Sequence, residues 1–96
     1  MVTVIWTEQA IDDLTAIADY TSHHSEKWAS AVIQRLFNRV SILKEMPELG
    51  RIVPEKGDAS IRELIEGNYR IIYEIKHPDR VEILLIHHSS RPLDNP

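Results

Sequence analysis

The fold of this protein is decided by residues 60–91, which read Ser-Ile-Arg-Glu-Leu-Ile-Glu-Gly-Asn-Tyr-Arg-Ile-Ile-Tyr-Glu-Ile-Lys-His-Pro-Asp-Arg-Val-Glu-Ile-Leu-Leu-Ile-His-His-Ser-Ser-Arg. The stretch contains three runs rich in Ile, Val, Tyr and Leu, and the breaks between them are Gly67-Asn68 and His77-Pro78-Asp79. Each run has the length of a strand, and each break consists of turn-forming residues. The stretch therefore predicts an antiparallel meander of three strands with two short connections.

Two amphipathic helices are predicted upstream of the meander. Thr7 is a capping residue for the first helix and Ser25 for the second, and Pro47 ends the second pattern because proline disfavours helix at the preceding residue. Apolar residues recur at steps of three and four, namely Ala10, Ile11, Leu14, Ile17 and Ala18 in the first helix and Trp28, Ala29, Val32, Ile33, Leu36, Phe37, Val40, Leu43 and Met46 in the second. The short connection between them predicts an antiparallel helical hairpin.

The order of elements predicts an α+β fold. Residues 2–6 form a short β-branched and aromatic run, so the chain reads as an N-terminal strand, a helical hairpin, a loop over residues 47–59 and the three-stranded meander, or β-α-α-β-β-β. We expect the first strand to lie at a sheet edge or to pair with the last strand. The loop is rich in proline and glycine and is expected to contain neither helix nor central strand. All of residues 1–96 are predicted to form one domain.

Composition excludes several classes of function. The chain has no cysteine, which excludes disulfides and thiolate metal sites, and its net charge of -4 argues against binding DNA directly through phosphates. No apolar run reaches membrane-spanning length, and no signal peptide is visible, so we expect a cytoplasmic protein. We also expect no cofactor. The adjacent His87 and His88 point to opposite faces of a strand and do not predict a metal site.

Alternation along the meander assigns one face of the sheet to the helices. A three-residue turn at residues 77–79 places Ile75 opposite Val81 and Tyr73 opposite Ile83. The odd-numbered side chains of the last two strands are then wholly apolar, so we expect them to pack against the helices.

The other face is predicted to be a partner site. On it, Arg70 falls beside Ile86 with His88 diagonal to it, and no element remains to cover this part-apolar, part-cationic surface. The side on which Arg62 lies stays open at this stage.

A set of cations suggests a second kind of site. Arg51, Arg62, Arg70 and Arg91 come from the loop, two strands and the tail, and guanidinium groups with one imidazole are able to support RNA cleavage. The alternative is that each arginine pairs with a nearby acid, for which the candidates are Glu63, Glu66, Glu74 and Glu82. Trp6 and Trp28 are predicted to be core aromatics rather than platforms for stacking bases.

Five motifs, in order along nearly the whole chain, resemble the ParE/RelE superfamily of toxins from type II toxin–antitoxin modules. They are Trp6-Thr7-x-x-Ala10-x-x-Asp13-Leu14-x-x-Ile17-x-x-Tyr20, Leu43-x-x-x-Pro47-x-x-Gly50-Arg51, Ile61-Arg62-Glu63-Leu64, Gly67-x-Tyr69-Arg70-Ile71-x-Tyr73-Glu74 and Val81-x-Ile83-Leu84-x-Ile86-His87-His88 before Arg91. The resemblance implies the same helical hairpin on a sheet.

The pattern looks closer to the ParE branch. That resemblance implies an inhibitor of DNA gyrase, of the kind found in plasmid stabilisation modules, which needs no catalytic group of its own. The alternative is a RelE-like, ribosome-dependent mRNA endoribonuclease, for which the candidate residues are Arg51, Arg62, Arg70, His88 and Arg91. A third interpretation is a non-toxic interaction module of the same fold.

A toxin of this kind implies a cognate antitoxin. Such partners bind through an extended segment that wraps the helices and a sheet edge, with apolar anchors in grooves. Leu36, Val40 and Leu43 are the candidate antitoxin-binding residues, expected near the rim of a groove beside the hairpin. The alternative is that these three residues are ordinary core.

Overall fold

The computed structural model describes residues 2–88 and has the predicted α+β architecture. Five strands form one mixed sheet in the order β1-β5-β4-β3-β2, in which β1 is parallel to β5 and the other neighbours are antiparallel. The elements are β1 (Thr3–Trp6), α1 (Glu8–Ser22), α2 (Glu26–Ser41), a short 3-10 turn (Ile42–Lys44), β2 (Arg51–Ile52), β3 (Ile61–Glu66), β4 (Tyr69–His77) and β5 (Arg80–His88).

Both helices begin at the predicted capping residues. The Thr7 side chain accepts a hydrogen bond from the Ala10 backbone N–H at 3.2 Å, and the Ser25 side chain accepts one from that of Trp28 at 3.1 Å. Each bond satisfies one of the donors that a helix start leaves without a partner. The second helix ends at Ser41, earlier than its apolar pattern suggests, and continues as the 3-10 turn.

The sheet contains one strand more than the sequence predicts. Residues 47–59 contain neither helix nor central strand, as expected, but Arg51–Ile52 pairs with β3 as a short edge strand that was not predicted. The first strand lies at the opposite edge and pairs with β5, as expected. Among residues 2–88, no helix is long and apolar enough to cross a membrane.

The core lies between the helical hairpin and one face of the sheet. The predicted pairs Tyr73–Ile83 and Ile75–Val81 are present, and Tyr73, Val81 and Ile83 are fully buried. The buried core comprises Ala10, Leu14, Val32, Leu36, Val40, Leu43, Leu64, Ile71, Tyr73, Val81, Ile83 and Ile86.

A β-bulge changes the facing of the last residues of β5. Tyr73 pairs with Ile83, but the preceding residue of β4, Ile72, pairs with Leu85, so β5 contains one extra residue, Leu84. Beyond the bulge, Ile86 pairs with Ile71 and joins the core at 6% exposure. The predicted alternation is therefore wrong from Leu85 onward.

The first helix supplies polar partners to the backbone at this bulge. The Thr7 hydroxyl lies 2.7 Å from the Ile83 carbonyl oxygen and 3.0 Å from that of Leu84. The Asp13 carboxylate accepts a hydrogen bond from the backbone N–H of Ile86 at 2.9 Å. These contacts tie the irregular part of β5 to α1, since backbone groups that leave a ladder need other partners.

Candidate functional site

Four charged residues form a network on the face of the sheet away from the helices. The Glu63 side chain is fully buried and accepts hydrogen bonds from Arg51 Nε and, at 2.6 Å, from Arg70 Nε. Arg70 also donates from Nη1 and Nη2 to the two carboxylate oxygens of Glu55, each at 3.0 Å. The charges alternate along Arg51, Glu63, Arg70 and Glu55, so the network is neutral.

The paired charges shift the pKa values of the Glu55–Arg70 pair. Hydrogen bonding from Arg70 lowers the pKa of Glu55 to about 2. Hydrogen bonding to Glu55 is the main cause that raises the pKa of Arg70 above its ordinary value. Bidentate pairing of this kind favours both charged forms. Both groups are therefore charged, and engaged with each other, at neutral pH.

The segment that carries Glu55 covers part of the face that the sequence predicted to be bare. Val53 is fully buried, and Ile72, which lies on the same face as Arg70, is 2% exposed although neither residue belongs to the helix-side core. Farther toward β1 the face keeps exposed apolar surface, for example at Ile5, which is 40% exposed. The expectation of an uncovered face is therefore wrong for its β3–β4 half.

Arg62 lies on the helix side of the sheet. It pairs with Tyr73 across the two-residue turn at Gly67-Asn68, and its neighbour two positions on, Leu64, belongs to the core. Its Nη1 donates to the Gly50 carbonyl oxygen at 3.1 Å and its Nε to that of Ala59 at 3.1 Å. The guanidinium therefore holds the two ends of the loop together.

Tyr73 anchors the same loop from within the core. Its hydroxyl donates to the Pro47 carbonyl oxygen at 2.7 Å and accepts from the Gly50 N–H at 2.9 Å. Burial is the main cause that raises the pKa of Tyr73. A Cβ atom on Gly50 would lie 2.5 Å from the Glu63 carbonyl oxygen, so this close approach requires glycine.

The candidate ribonuclease residues do not converge. Arg51 and Arg70 meet at Glu63, whereas Arg62 lies on the opposite face. His88 pairs with Tyr69 on the helix side, and the two rings make an edge contact at 5.4 Å. The prediction that His88 lies diagonal to Arg70 is wrong, because the bulge places the His88 side chain on the opposite face of the sheet. Arg91 lies outside the described residues.

Acidic partners account for several of the cations. Glu63 pairs with two arginines, as the alternative interpretation predicts, and Glu74 and Glu82 pair with Lys76 at 3.4 Å and Arg80 at 3.6 Å. In the part of the chain that the structure describes, no group of three or more His, Asp or Glu side chains is arranged to hold a metal ion.

The predicted antitoxin contacts are buried. Leu36 and Leu43 are fully buried and Val40 is 2% exposed, so all three belong to the core, as the alternative interpretation predicts, although Leu36 also lines a groove between the hairpin and the meander. The apolar stripe of α2 includes side chains that do not pack in the core. These side chains lie on the outside of the hairpin. The width of the stripe was the signal in the sequence that marks this surface.

An apolar groove lies on the outside of the hairpin beside β1. It has a volume of about 430 Å³ and is lined by Trp6, Ile11, Leu14, Thr15, Ala18, Ile33 and Phe37; we call it the hairpin groove. Ile11 is 50% and Phe37 45% exposed, and the ring centroids of Trp6 and Phe37 lie 5.2 Å apart. Large apolar side chains exposed together mark an interaction surface.

A second groove of about 860 Å³ separates the hairpin from the end of the meander. Its lining includes Tyr20, Trp28, Tyr69 and His88. Trp28 is 46% exposed and makes an edge contact with His24, so the prediction that it is a core aromatic is wrong, whereas Trp6 packs against the core.

Solved structures share this arrangement. The fold matches the structure "Chromosomal ParDE TA system from P. aeruginosa" with a TM-score of 0.75 and 25% identity, over 92% of this chain and 96% of that chain. It also matches the toxin–antitoxin complex RelBE2 from Mycobacterium tuberculosis with a TM-score of 0.59 and 24% identity, over 91% and 96% of the two chains, a likeness of fold alone. The chain therefore has a fold that is found in toxin–antitoxin structures.

Sequence comparison defines the family more closely. The model of the ParE toxin of the type II toxin–antitoxin system parDE matches residues 4–93. The chain is also 35% identical over 91 residues to Toxin RelE2 of Caulobacter vibrioides. The aligned residues cover 95% of this chain and 99% of that protein. The chain belongs to the ParE toxin family of type II toxin–antitoxin systems.

Proposed function

We propose that this toxin acts by binding DNA gyrase and that a cognate antitoxin neutralises it in the cytoplasm, as part of a module that serves plasmid stabilisation. The observation that carries the proposal is the state of Arg70, which is held by the carboxylates of both Glu63 and Glu55. A guanidinium with two carboxylate partners has little positive charge left to offer a phosphate.

The geometry of the cations argues against RNA cleavage. Cleavage requires positive charge directed at the reacting phosphate and a group nearby that moves a proton. Here Arg70 is held by two carboxylates, and the candidate His88 lies on the other face of the sheet, next to Tyr69, whereas the imidazole that pairs with Arg70 in the strand register is His87. The net charge of -4 also gives little attraction to RNA. These features support a function based on protein–protein contacts, and the ParE family membership supports gyrase as the target.

The hairpin groove is the proposed docking site of the antitoxin. It is an apolar surface lined by side chains of both helices, the kind of surface that accepts an amphipathic helix in other complexes. Exposed Ile11 and Phe37 would be covered by such a helix. The two solved structures that share the fold are, by name, toxin–antitoxin systems, which supports a protein partner of this kind.

A RelE-like ribonuclease is the second candidate, because the curated relative at 35% identity is named Toxin RelE2. Arg51, Arg62, Arg70, His88 and Arg91 stay its candidate residues. Under this alternative, the toxin would require Arg70 to leave its carboxylate partners when it meets the ribosome.

Expression in a permissive host distinguishes the candidates. Gyrase inhibition predicts a DNA damage response and filamentous cells, whereas ribonuclease activity predicts rapid loss of protein synthesis with cut mRNA. The variants His88→Ala and Arg51→Ala are suited to this test, because the Arg51 side chain is 66% exposed and neither residue belongs to the buried core. Both variants should stay toxic. Loss of toxicity in a variant that melts like wild type would overturn the proposal, and a wild type without effect would favour a non-toxic interaction module.

A further inference from the structure

The hairpin groove has two unlike flanks. Along α1, Glu8, Asp12 and Asp19 are spaced by four and seven residues, so they form one stripe beside Ile11 and Thr15 in the groove. All three acids are exposed, and none of their carboxylates takes part in a salt bridge within residues 2–88. The α1 sequence contains no lysine or arginine.

The α2 flank is neutral. Ser30, Gln34 and Ser41 lie at the corresponding positions, three residues before, one after and eight after Ile33. All three are exposed and uncharged, and the exposed Lys27, seven residues before Gln34 on the same stripe, is balanced by the adjacent exposed Glu26, so this flank has no net charge. The groove is therefore apolar along its floor, acidic along the α1 edge and without net charge along the α2 edge.

We propose that the partner segment in the hairpin groove is an amphipathic helix that carries lysine or arginine along the edge facing α1. This inference rests on the proposed function, because it takes the groove to be the antitoxin docking site. Apolar side chains of that helix would cover Ile11 and Phe37, and its basic edge would lie against Asp12 and Asp19. The neutral α2 edge makes the opposite orientation of the helix less favourable.

The expected effect of these charges is on association rate and partner choice. Exposed charges at the rim of an interface steer encounter and penalise partners of the wrong sign, and they add little to affinity. The alternative is that the acids form an ordinary solvated helix face, in which case changing their sign would not alter binding.

The test uses the cognate antitoxin, and it measures association by stopped flow at low and high salt. Three toxin variants are compared with wild type. Asp12→Lys/Asp19→Lys reverses the acidic edge, Glu45→Lys/Glu48→Lys reverses two exposed acids that do not line the groove, and Phe37→Asp places a charge on its floor. Circular dichroism confirms that each variant is folded.

The proposal predicts that Asp12→Lys/Asp19→Lys slows association about tenfold at low salt and much less at high salt, while the control changes it less than about twofold. Phe37→Asp should abolish binding. If Phe37→Asp abolishes binding but the Asp12/Asp19 reversal behaves like the control, the charge inference is wrong and the docking site stands. If Phe37→Asp binds like wild type, docking at this groove is wrong as well.

Discussion

Asp13 on α1 accepts a hydrogen bond from the backbone N–H of Ile86 on β5, with Oδ2 and nitrogen 2.9 Å apart. The bond supplies a partner to the strand next to its bulge, where regular pairing is interrupted. The bond thereby stabilises the arrangement of β5 in which Ile86 packs in the core and His88 lies beside Tyr69. The side chain of a single aspartate thus helps to decide which residues occupy each face of the toxin.

We expect Asp13→Ala to lower the free energy of unfolding by about 1–2 kcal/mol, because the part-buried N–H of Ile86 loses its acceptor. Asp13→Asn should recover most of the loss, since an amide oxygen also accepts. The measurement is urea unfolding, with Asp12→Ala as the control at an exposed neighbour. A loss equal to that of the control would show that the bond does not support the bulge.

Removal of the buried carboxylate should be more costly. Glu63→Ala removes one of the carboxylate partners of Arg70, whose side chain is only 12% exposed. We expect the free energy of unfolding to fall by about 3–5 kcal/mol. Glu82→Ala is the matched control, because its pair with Arg80 is long and partly exposed, and it should cost less than about 1 kcal/mol. Similar losses for the two variants in denaturant unfolding would contradict a central role for Glu63.

The Glu55–Arg70 pair should make stability depend on acid. The folded pKa of Glu55 is about 2, below its ordinary value of 4.5, so folding favours the ionised form. Its contribution is fully present above about pH 4.5 and is lost as the pH falls toward 2. Wild type and Glu55→Gln should therefore differ in unfolding free energy at pH 6 and converge near pH 2. A difference that does not change with pH would exclude this carboxylate as the cause.

Gly50→Ala tests the close packing of the loop on Tyr73. The added Cβ would lie 2.5 Å from the Glu63 carbonyl oxygen and 2.6 Å from the Tyr73 hydroxyl. Because these distances are too short, we expect the free energy of unfolding to fall by about 1–3 kcal/mol. Gly67→Asn is the control, because nothing lies within 4 Å of its Cβ position and asparagine tolerates the positive φ of 58°. Equal melting temperatures for the two variants would argue against this packing.

The parts of the fold that depend on local pattern were predictable from sequence. Thr7 and Ser25 cap the helices as their residue types indicate, and Tyr73 pairs with Ile83 as predicted. The predicted three-residue turn is wrong, because only residues 78–79 form the turn and an irregularity between Ile75 and His77 restores the register. The bulge was not predictable, because Leu84-Leu85-Ile86 is apolar throughout and fits either face equally well.

The site was less predictable than the fold. Arg51 and Arg70 were identified as two members of a cationic set, but their state depends on Glu63, which lies 12 and seven residues away in sequence and is buried only once three strands assemble. The hairpin groove was missed because periodicity alone gives Phe37 and Leu36 the same apolar character. Only packing against the sheet distinguishes the buried side chain from the 45% exposed one.

The most direct test of the central claim, that this toxin works by binding and not by catalysis on RNA, is a supercoiling assay with purified DNA gyrase and increasing amounts of the purified protein. We predict that supercoiling stops at protein concentrations comparable to those of the enzyme, and that added antitoxin restores it. Unaffected supercoiling, together with mRNA cut at defined positions when the same preparation is added to translating ribosomes, would contradict the account.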